Sequence, residues 1–153
     1  MAVKRGFTLL ELLVVIAVIA LGTAGVALAM RDSGQTLVER EATRLAALLD
    51  AARGQSRATG VMVTWEPAVD AQNQNVMRWT GLRHKEPLPT TWLNAQTQVL
   101  DAKRLILGPD PVIAPQRIRL AIDSSSGGGS GSGKDTRDVV TDGVGAFAVE
   151  AKP

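Results

Sequence analysis

The sequence predicts an α+β fold, in which a long N-terminal helix is followed by an antiparallel β domain. Residues 12–30 form a run of 19 residues without a charged side chain, and helical periodicity continues from there to Gly60. Beyond Gly60, short segments alternate between apolar and polar residues, and Pro and Gly separate them. Alternation with period two, bounded by turn residues, is typical of strands. The length of 153 residues fits one folded domain behind the helix.

The predicted helix runs from Phe7 to Thr59 and has two halves. Residues 1–6 form a short basic leader, 7–30 the transmembrane half, 31–59 an amphipathic half, and 60–153 the β domain. At about 1.5 Å per residue, the charge-free run approaches the roughly 30 Å of a bilayer core. Within the β domain, residues 124–133 (SSSGGGSGSG) have the composition of a flexible loop.

The amphipathic half carries one apolar stripe. Apolar residues recur there in steps of four and three, at Val38, Ala42, Leu45, Leu49 and Ala52. The charged residues are expected mainly on other faces of the helix: Glu39, Arg40, Arg44, Asp50, Arg53 and Arg57. Because acids are interleaved with the arginines, we interpret these residues as a solvated face rather than a basic patch.

Strands are predicted at 61–65, 76–82, 104–108 and 116–122. A hairpin is predicted at 138–151, with Asp142 and Gly143 in its turn. The large aromatic residues of this half are expected to anchor the core: Trp65, Trp79, Trp92 and Phe147.

Composition and charge argue against several classes of function. The chain has 17 basic and 15 acidic residues, and Lys4 and Arg5 account for the excess. The rest of the chain therefore has no net positive charge that would favour binding to nucleic acid. The absence of cysteine excludes disulfides and thiol catalysis. His84 is the single histidine, in a predicted surface loop, and the acids lack metal-ligand spacing. The sequence predicts no enzymatic activity, no metal and no cofactor.

Glu11 is the one charged residue between Phe7 and Met30. A carboxylate at the centre of a bilayer costs on the order of 2.5–3.5 kcal/mol on insertion scales. Such a residue generally has a partner or a function. Two simpler interpretations of the segment remain open, a cleaved secretory signal and a plain signal-anchor helix. The apolar run is longer than a typical signal peptide core, and neither interpretation gives Glu11 a role.

The stretch KRGFTLLE, residues 4–11, resembles the processing site of type IV pilins and type II secretion pseudopilins. The resemblance implies that prepilin peptidase cleaves after Gly6 and that the new N-terminal residue, Phe7, is N-methylated. It also implies that Glu11 pairs with the N-terminal amine of a neighbouring subunit during assembly. Lys4 and Arg5 would then hold the N-terminus in the cytoplasm, as basic residues beside a membrane helix generally do.

Later segments narrow the resemblance to the minor pseudopilin H family of type II secretion. They are EATRLAALLDAARGQSRATG, PLPTTWL, LILGPDPVIAPQRIRL and VVTDGVGAFAV. The resemblance implies a type IV pilin-like fold and a structural subunit near the tip of the periplasmic pseudopilus, which supports export of folded proteins across the outer membrane. The Gly/Ser loop at 124–133 departs from the tighter strand connection expected for this family.

The implied partners are other major and minor pseudopilins, prepilin peptidase, the inner-membrane assembly platform and membrane lipid. The implied location is the bacterial inner membrane, crossed once, with the C-terminal domain in the periplasm. The alternative function is that of a FimT-like minor type IV pilin, which binds DNA in natural transformation. The balanced charge favours the secretion subunit, with no nucleic-acid partner.

Overall fold

The computed structural model describes residues 9–29, 33–82, 87–101, 103–123 and 134–150. The chain divides into two units, Met1–Ser33 and Gly34–Pro153. Helix α1, Leu9–Ala29, belongs to the first unit, while helix α2, Ser33–Thr59, and seven strands make up most of the described second unit. The prediction of one helix over 7–59 depends on residues 30–32, which lie outside the described residues, as do His84 and the loop at 124–133.

Helix α2 turns its apolar stripe towards the β-sheets. Val38, Ala42, Leu45, Leu49 and Ala52 are all buried, as the four-and-three spacing predicts. The helix ends where Gly60 adopts a left-handed conformation, with φ of 67°, and its amide donates to the carbonyl oxygen of Ser56 at 2.9 Å. A glycine in this conformation is a common C-terminal cap.

Within the described residues, seven antiparallel strands form two sheets beside α2. In the first sheet the order is β2-β1-β4, with β1 at Thr64–Val69, β2 at Asn75–Thr80 and β4 at Leu105–Ile106. In the second the order is β3-β5-β6-β7, with β3 at Thr97–Val99, β5 at Gln116–Asp123, β6 at Lys134–Thr141 and β7 at Ala148–Glu150. The predicted α+β class, with a helix on antiparallel sheets, is confirmed.

Aromatic side chains anchor the core between α2 and the sheets. Trp65, Trp92 and Phe147 are buried, and Trp79 is half-buried against the same cluster. Trp65 and Trp79 are paired across the β1–β2 ladder, and their rings are tilted by 58° with centroids 6.5 Å apart. Trp79 donates its indole N–H to the carbonyl oxygen of Pro89 at 2.9 Å, so its polar edge is satisfied. The predicted core role of the four aromatics is confirmed.

The strands at 76–82 and 116–122 are confirmed within two residues, but the first predicted strand, 61–65, is displaced. Strand β1 begins at Thr64 and continues through Pro67 to Val69. The carbonyl oxygen of Val61 instead accepts a hydrogen bond from the hydroxyl of Ser56, at 2.6 Å, which ties this segment to the end of α2.

Pro67 is tolerated in mid-strand because β4 pairs with β1 only at Thr64 and Trp65. Strand β4 is two residues long, against the five predicted, and β3 was not predicted.

The predicted tight hairpin at 138–151 is wrong in its details. Strand β6 begins at Lys134, and its ladder with β7 ends at the pair Val140–Ala148. A wide loop therefore joins the two strands instead of a two-residue turn. Gly143 in this loop has φ of 92°, and its carbonyl oxygen accepts the amide of Ile113 at 3.1 Å. Contacts with the loop at 109–115 and with α2 hold the connection open. These contacts join residues that are distant in the sequence, so the local sequence does not predict them.

Candidate assembly site

Helix α1 is apolar around its whole circumference. Its large apolar side chains are exposed along residues 9–19, and Leu9 is 85% exposed: Leu9, Leu10, Leu12, Leu13, Val14, Val15, Ile16, Val18 and Ile19. Consecutive positions of a helix point about 100° apart, so these residues leave no polar face. A helix that is apolar on all sides requires an apolar environment or other helices around it. Among the described residues, no helix is both long and apolar enough to cross a membrane.

Glu11 lies in the first turn of α1 and is exposed. An acid at this end of a helix interacts favourably with the helix dipole, which contributes about 0.3–1 kcal/mol. That gain is smaller than the roughly 2.5–3.5 kcal/mol that a carboxylate would cost at the centre of a bilayer. The helix dipole is therefore an incomplete reason for an acid among these leucines and valines.

The predicted site residues of the leader precede α1. Lys4, Arg5, Gly6 and Phe7 lie outside the described residues, so the structure does not show their distances from Glu11. Their assigned roles in topology, cleavage and methylation remain predictions from the sequence.

Comparison with known families decides the nature of this segment. Residues 1–27 match the prokaryotic N-terminal methylation motif. The match spans all five predicted site residues of the leader and α1, and it supports a prepilin-type leader with N-terminal methylation. The chain thus carries an N-terminal motif of the kind found in type IV pilin-like and pseudopilin subunits. No curated protein and no solved structure matches the chain.

Two charged residues of α2 are buried: Arg53, which was expected on the solvated face, and Glu41, for which no face was predicted. Arg53 is 4% exposed and Glu41 is 2% exposed. Both lie three or four residues from members of the apolar stripe. This spacing in the sequence indicates the inner face of the helix. The expectation of a solvated face remains correct for Arg40 and Arg57, which are exposed.

Arg53 joins α2 to the two loops at its C-terminal end. Its guanidinium donates to the carbonyl oxygens of Gly145 at 2.6 Å, of Pro111 at 3.2 Å, and of Gly143. Burial, together with the nearby charge of Arg57, lowers the pKa of Arg53. Since a guanidinium stays protonated in proteins, Arg53 remains a donor to these carbonyls.

Glu41 holds the loop that leads into β3. Its Oε1 accepts the backbone amide of Asn94 at 2.8 Å and lies 3.5 Å from the hydroxyl of Thr97. Its Oε2 is buried and has no hydrogen-bond partner among the described residues. Arg44 is the cation of an ion pair with Oε2, at 3.9 Å. Glu41 is thus only half satisfied by its own chain.

The arginines of the second sheet are matched by acids. Asp138 on β6 accepts from Arg117 at 2.6 Å and from Arg119 at 2.8 Å, and Arg117 also reaches Glu150 on β7 at 3.2 Å. Hydrogen bonds from Arg119 and Arg117 lower the pKa of Asp138, and the same pairing raises the pKa of Arg119. This surface therefore presents paired charges rather than a cationic track for phosphates.

The described residues provide little for metal chemistry. Within 9–29, 33–82, 87–101, 103–123 and 134–150, no group of three or more His, Cys, Asp or Glu is arranged to hold a metal ion. Asp142, in the loop after β6, accepts the amides of Gly145 and Val144, and these hydrogen bonds lower its pKa. This is the turn role predicted for Asp142.

Proposed function

We propose that the chain is a structural minor pseudopilin near the tip of the type II secretion pseudopilus. In this role it supports export of folded proteins across the outer membrane and catalyses no reaction. The methylation motif at residues 1–27, which includes most of α1 with its exposed apolar side chains around Glu11, carries the proposal. The compact α+β unit beyond it is the kind of domain that a pilin-like filament displays.

In this proposal the segment from Phe7 to Met30, which extends beyond α1 at both ends, anchors the chain in the inner membrane. Lys4 and Arg5 keep the leader in the cytoplasm, where prepilin peptidase cleaves after Gly6. The second unit lies in the periplasm. Lipid covers the apolar helix before assembly, and other pseudopilins cover it in the filament.

Glu11 acts as the assembly signal in this proposal. Cleavage places a cationic amine on Phe7, and methylation leaves that amine charged. Two opposite charges attract far more strongly in an apolar environment than in water. A subunit with the correct stagger brings its amine to Glu11 of a neighbour, whereas an incorrect stagger leaves both charges without this compensation.

Mass spectrometry of the membrane-extracted protein tests the processing step. The expected mature chain begins at a methylated Phe7. An intact Met1 terminus would favour the signal-anchor interpretation, and a start near Met30 would favour a cleaved secretory signal. Either result would contradict the proposal.

A further inference from the structure

A recess of about 350 Å³ opens between the first half of α2 and the loop that precedes β3. Its walls combine apolar and polar side chains: Leu37, Arg40, Glu41, Leu93, Asn94 and Ala95. Leu93 is 66% exposed although it directly follows the buried Trp92. All of these residues belong to the second unit, so the recess is a feature of one compact body.

The unusual group in this recess is the carboxylate of Glu41. Its Oε2 is buried without a hydrogen-bond partner in the described part of the chain. The nearest cation, Arg44, is 3.9 Å away, which is too far for a hydrogen bond, and its NH1 donates instead to the carbonyl oxygen of Thr91 at 3.0 Å. A buried carboxylate oxygen that has an arginine nearby but no hydrogen bond is costly, so this atom favours a charged donor.

Arg40 is the other cation beside the recess. It adjoins Glu41 in the helix, and successive helical residues do not face each other. Its positive charge at the rim opposes the entry of any cation. A ligand must therefore gain from the apolar walls, Leu37, Leu93 and Ala95, as well as from Glu41.

We propose that this recess binds the side chain of a lysine from a neighbouring filament subunit. The aliphatic stem of the lysine packs between Leu37 and Leu93, and its ammonium donates to Oε2 of Glu41. Lysine combines an apolar stem with a charged end in this way. The assignment to a neighbouring subunit rests on the proposed filament function, whereas the affinity for an alkylammonium does not.

Titration of the full-length chain in detergent micelles with n-butylammonium tests the chemistry of the recess. We expect saturable NMR shifts of the amides of Leu93, Asn94 and Ala95, smaller effects with methylammonium, and none with n-butanol or sodium chloride. Glu41→Gln preserves the shape of the residue, and its side-chain oxygen can still accept from Asn94. It should weaken n-butylammonium binding about tenfold or more, because the hydrogen bond to a charged acceptor is lost.

Two matched variants control this experiment. Glu39→Gln removes an exposed acid from the same helix and should leave the affinity unchanged. Arg40→Gln removes the opposing charge and should increase it. Equal binding by wild type and Glu41→Gln, or shifts that sodium chloride reproduces, would overturn the proposed recess.

Cross-linking in cells tests the source of the lysine. The chain has no cysteine, so Ala95→Cys provides a single thiol at the recess, and Gln72→Cys provides an exposed control in the β1–β2 turn. With a short thiol-to-amine linker, Ala95→Cys should capture a lysine of another methylation-motif subunit, and Glu41→Gln should reduce the yield several-fold.

The two proposals fail in different ways. The absence of a captured lysine, in cells whose protein is processed to a methylated Phe7, would overturn this inference alone. An unprocessed N-terminus would instead contradict the proposed filament function and leave the result with n-butylammonium unaffected.

Discussion

Arg53 shows how one buried side chain determines the local architecture at the end of α2. It provides hydrogen bonds to carbonyl oxygens in two loops that are about 60 and 90 residues away in the sequence. Without its guanidinium, those carbonyls would lose a charged donor in a partly buried setting. The loop after β6 and the loop before β5 therefore depend on a residue of the helix.

We expect Arg53→Met to lower the free energy of unfolding by roughly 2–4 kcal/mol, because hydrogen bonds to a charged group are lost and buried carbonyls remain. Arg57→Met is the matched control. Arg57 is exposed and donates to Pro111 at 2.6 Å, so its loss should cost less than about 1 kcal/mol. Urea unfolding can be followed by fluorescence, since all three tryptophans lie in the second unit. Equal costs for the two variants would contradict this role of Arg53.

Asp138 makes the stability of the second sheet depend on pH. Hydrogen bonds from Arg119 and Arg117 lower its pKa in the folded chain. Its contribution to stability is therefore present above the pKa of an unfolded aspartate, about 3.9, and is lost as the pH falls through the lower folded value. The difference in unfolding free energy between wild type and Asp138→Asn should thus shrink below about pH 4. A difference that stays constant from pH 7 to pH 2 would contradict this assignment.

At the scale of elements, the periodicity of apolar residues correctly predicted those elements that pack one face against the core. The stripe from Val38 to Ala52 and the alternation of 116–122 each describe a surface that meets the core, so the pattern alone identified α2 and β5. Arg53 was expected on the solvated face because it is charged, and the burial of Glu41 was not predicted. Their carbonyl and amide partners lie in distant loops that no local pattern reveals.

Boundaries were less predictable where a distant contact decides them. Strand β1 starts late because Ser56 holds Val61, and the connection after β6 is wide because Arg53 and Ile113 bind Gly143. The sequence of the connection, with Asp142 before Gly143, is typical of a tight turn. The tertiary contacts of these loops override that local preference.

Strands β5, β6 and β7 also provide a test of the DNA-binding alternative. Because Arg117 and Arg119 are paired with Asp138 and Glu150, we expect the detergent-solubilised chain to bind duplex DNA only weakly and with little salt dependence. Fluorescence anisotropy with labelled duplex at physiological salt measures this affinity. Submicromolar binding that is lost on replacing both arginines with Gln would instead support a FimT-like minor pilin.

At the scale of the whole molecule, the two units carry different parts of the proposed function. The first has the methylation motif and an apolar helix with one acid, while the second is a domain with its own core. The sequence predicted both parts because the leader motif is local and the core faces are periodic. The roles of Gly6, Phe7 and Glu11 remain predictions, since they concern a cleavage and a contact with another chain.

The central claim is that Glu11 pairs with the N-terminal amine of a neighbour, and Glu11→Ala tests it most directly. Removing the carboxylate makes α1 more apolar, so membrane insertion should persist. Cleavage after Gly6 should also persist, because the leader and the junction are unchanged. Incorporation into the pseudopilus, and secretion with it, should fail. Leu10→Ala alters a neighbouring exposed residue without removing a charge and should retain assembly.

The deciding measurement is disulfide cross-linking in cells between Val14→Cys, an exposed position one turn beyond Glu11 in a chain without other cysteines, and a single cysteine introduced near the N-terminus of a co-expressed pseudopilin. N-terminal mass spectrometry of the same samples confirms that the compared proteins are processed. We predict that the Glu11→Ala chain begins at methylated Phe7 yet loses its cross-links to other pseudopilins. A processed Glu11→Ala chain that cross-links and supports secretion like the wild type would contradict the pairing.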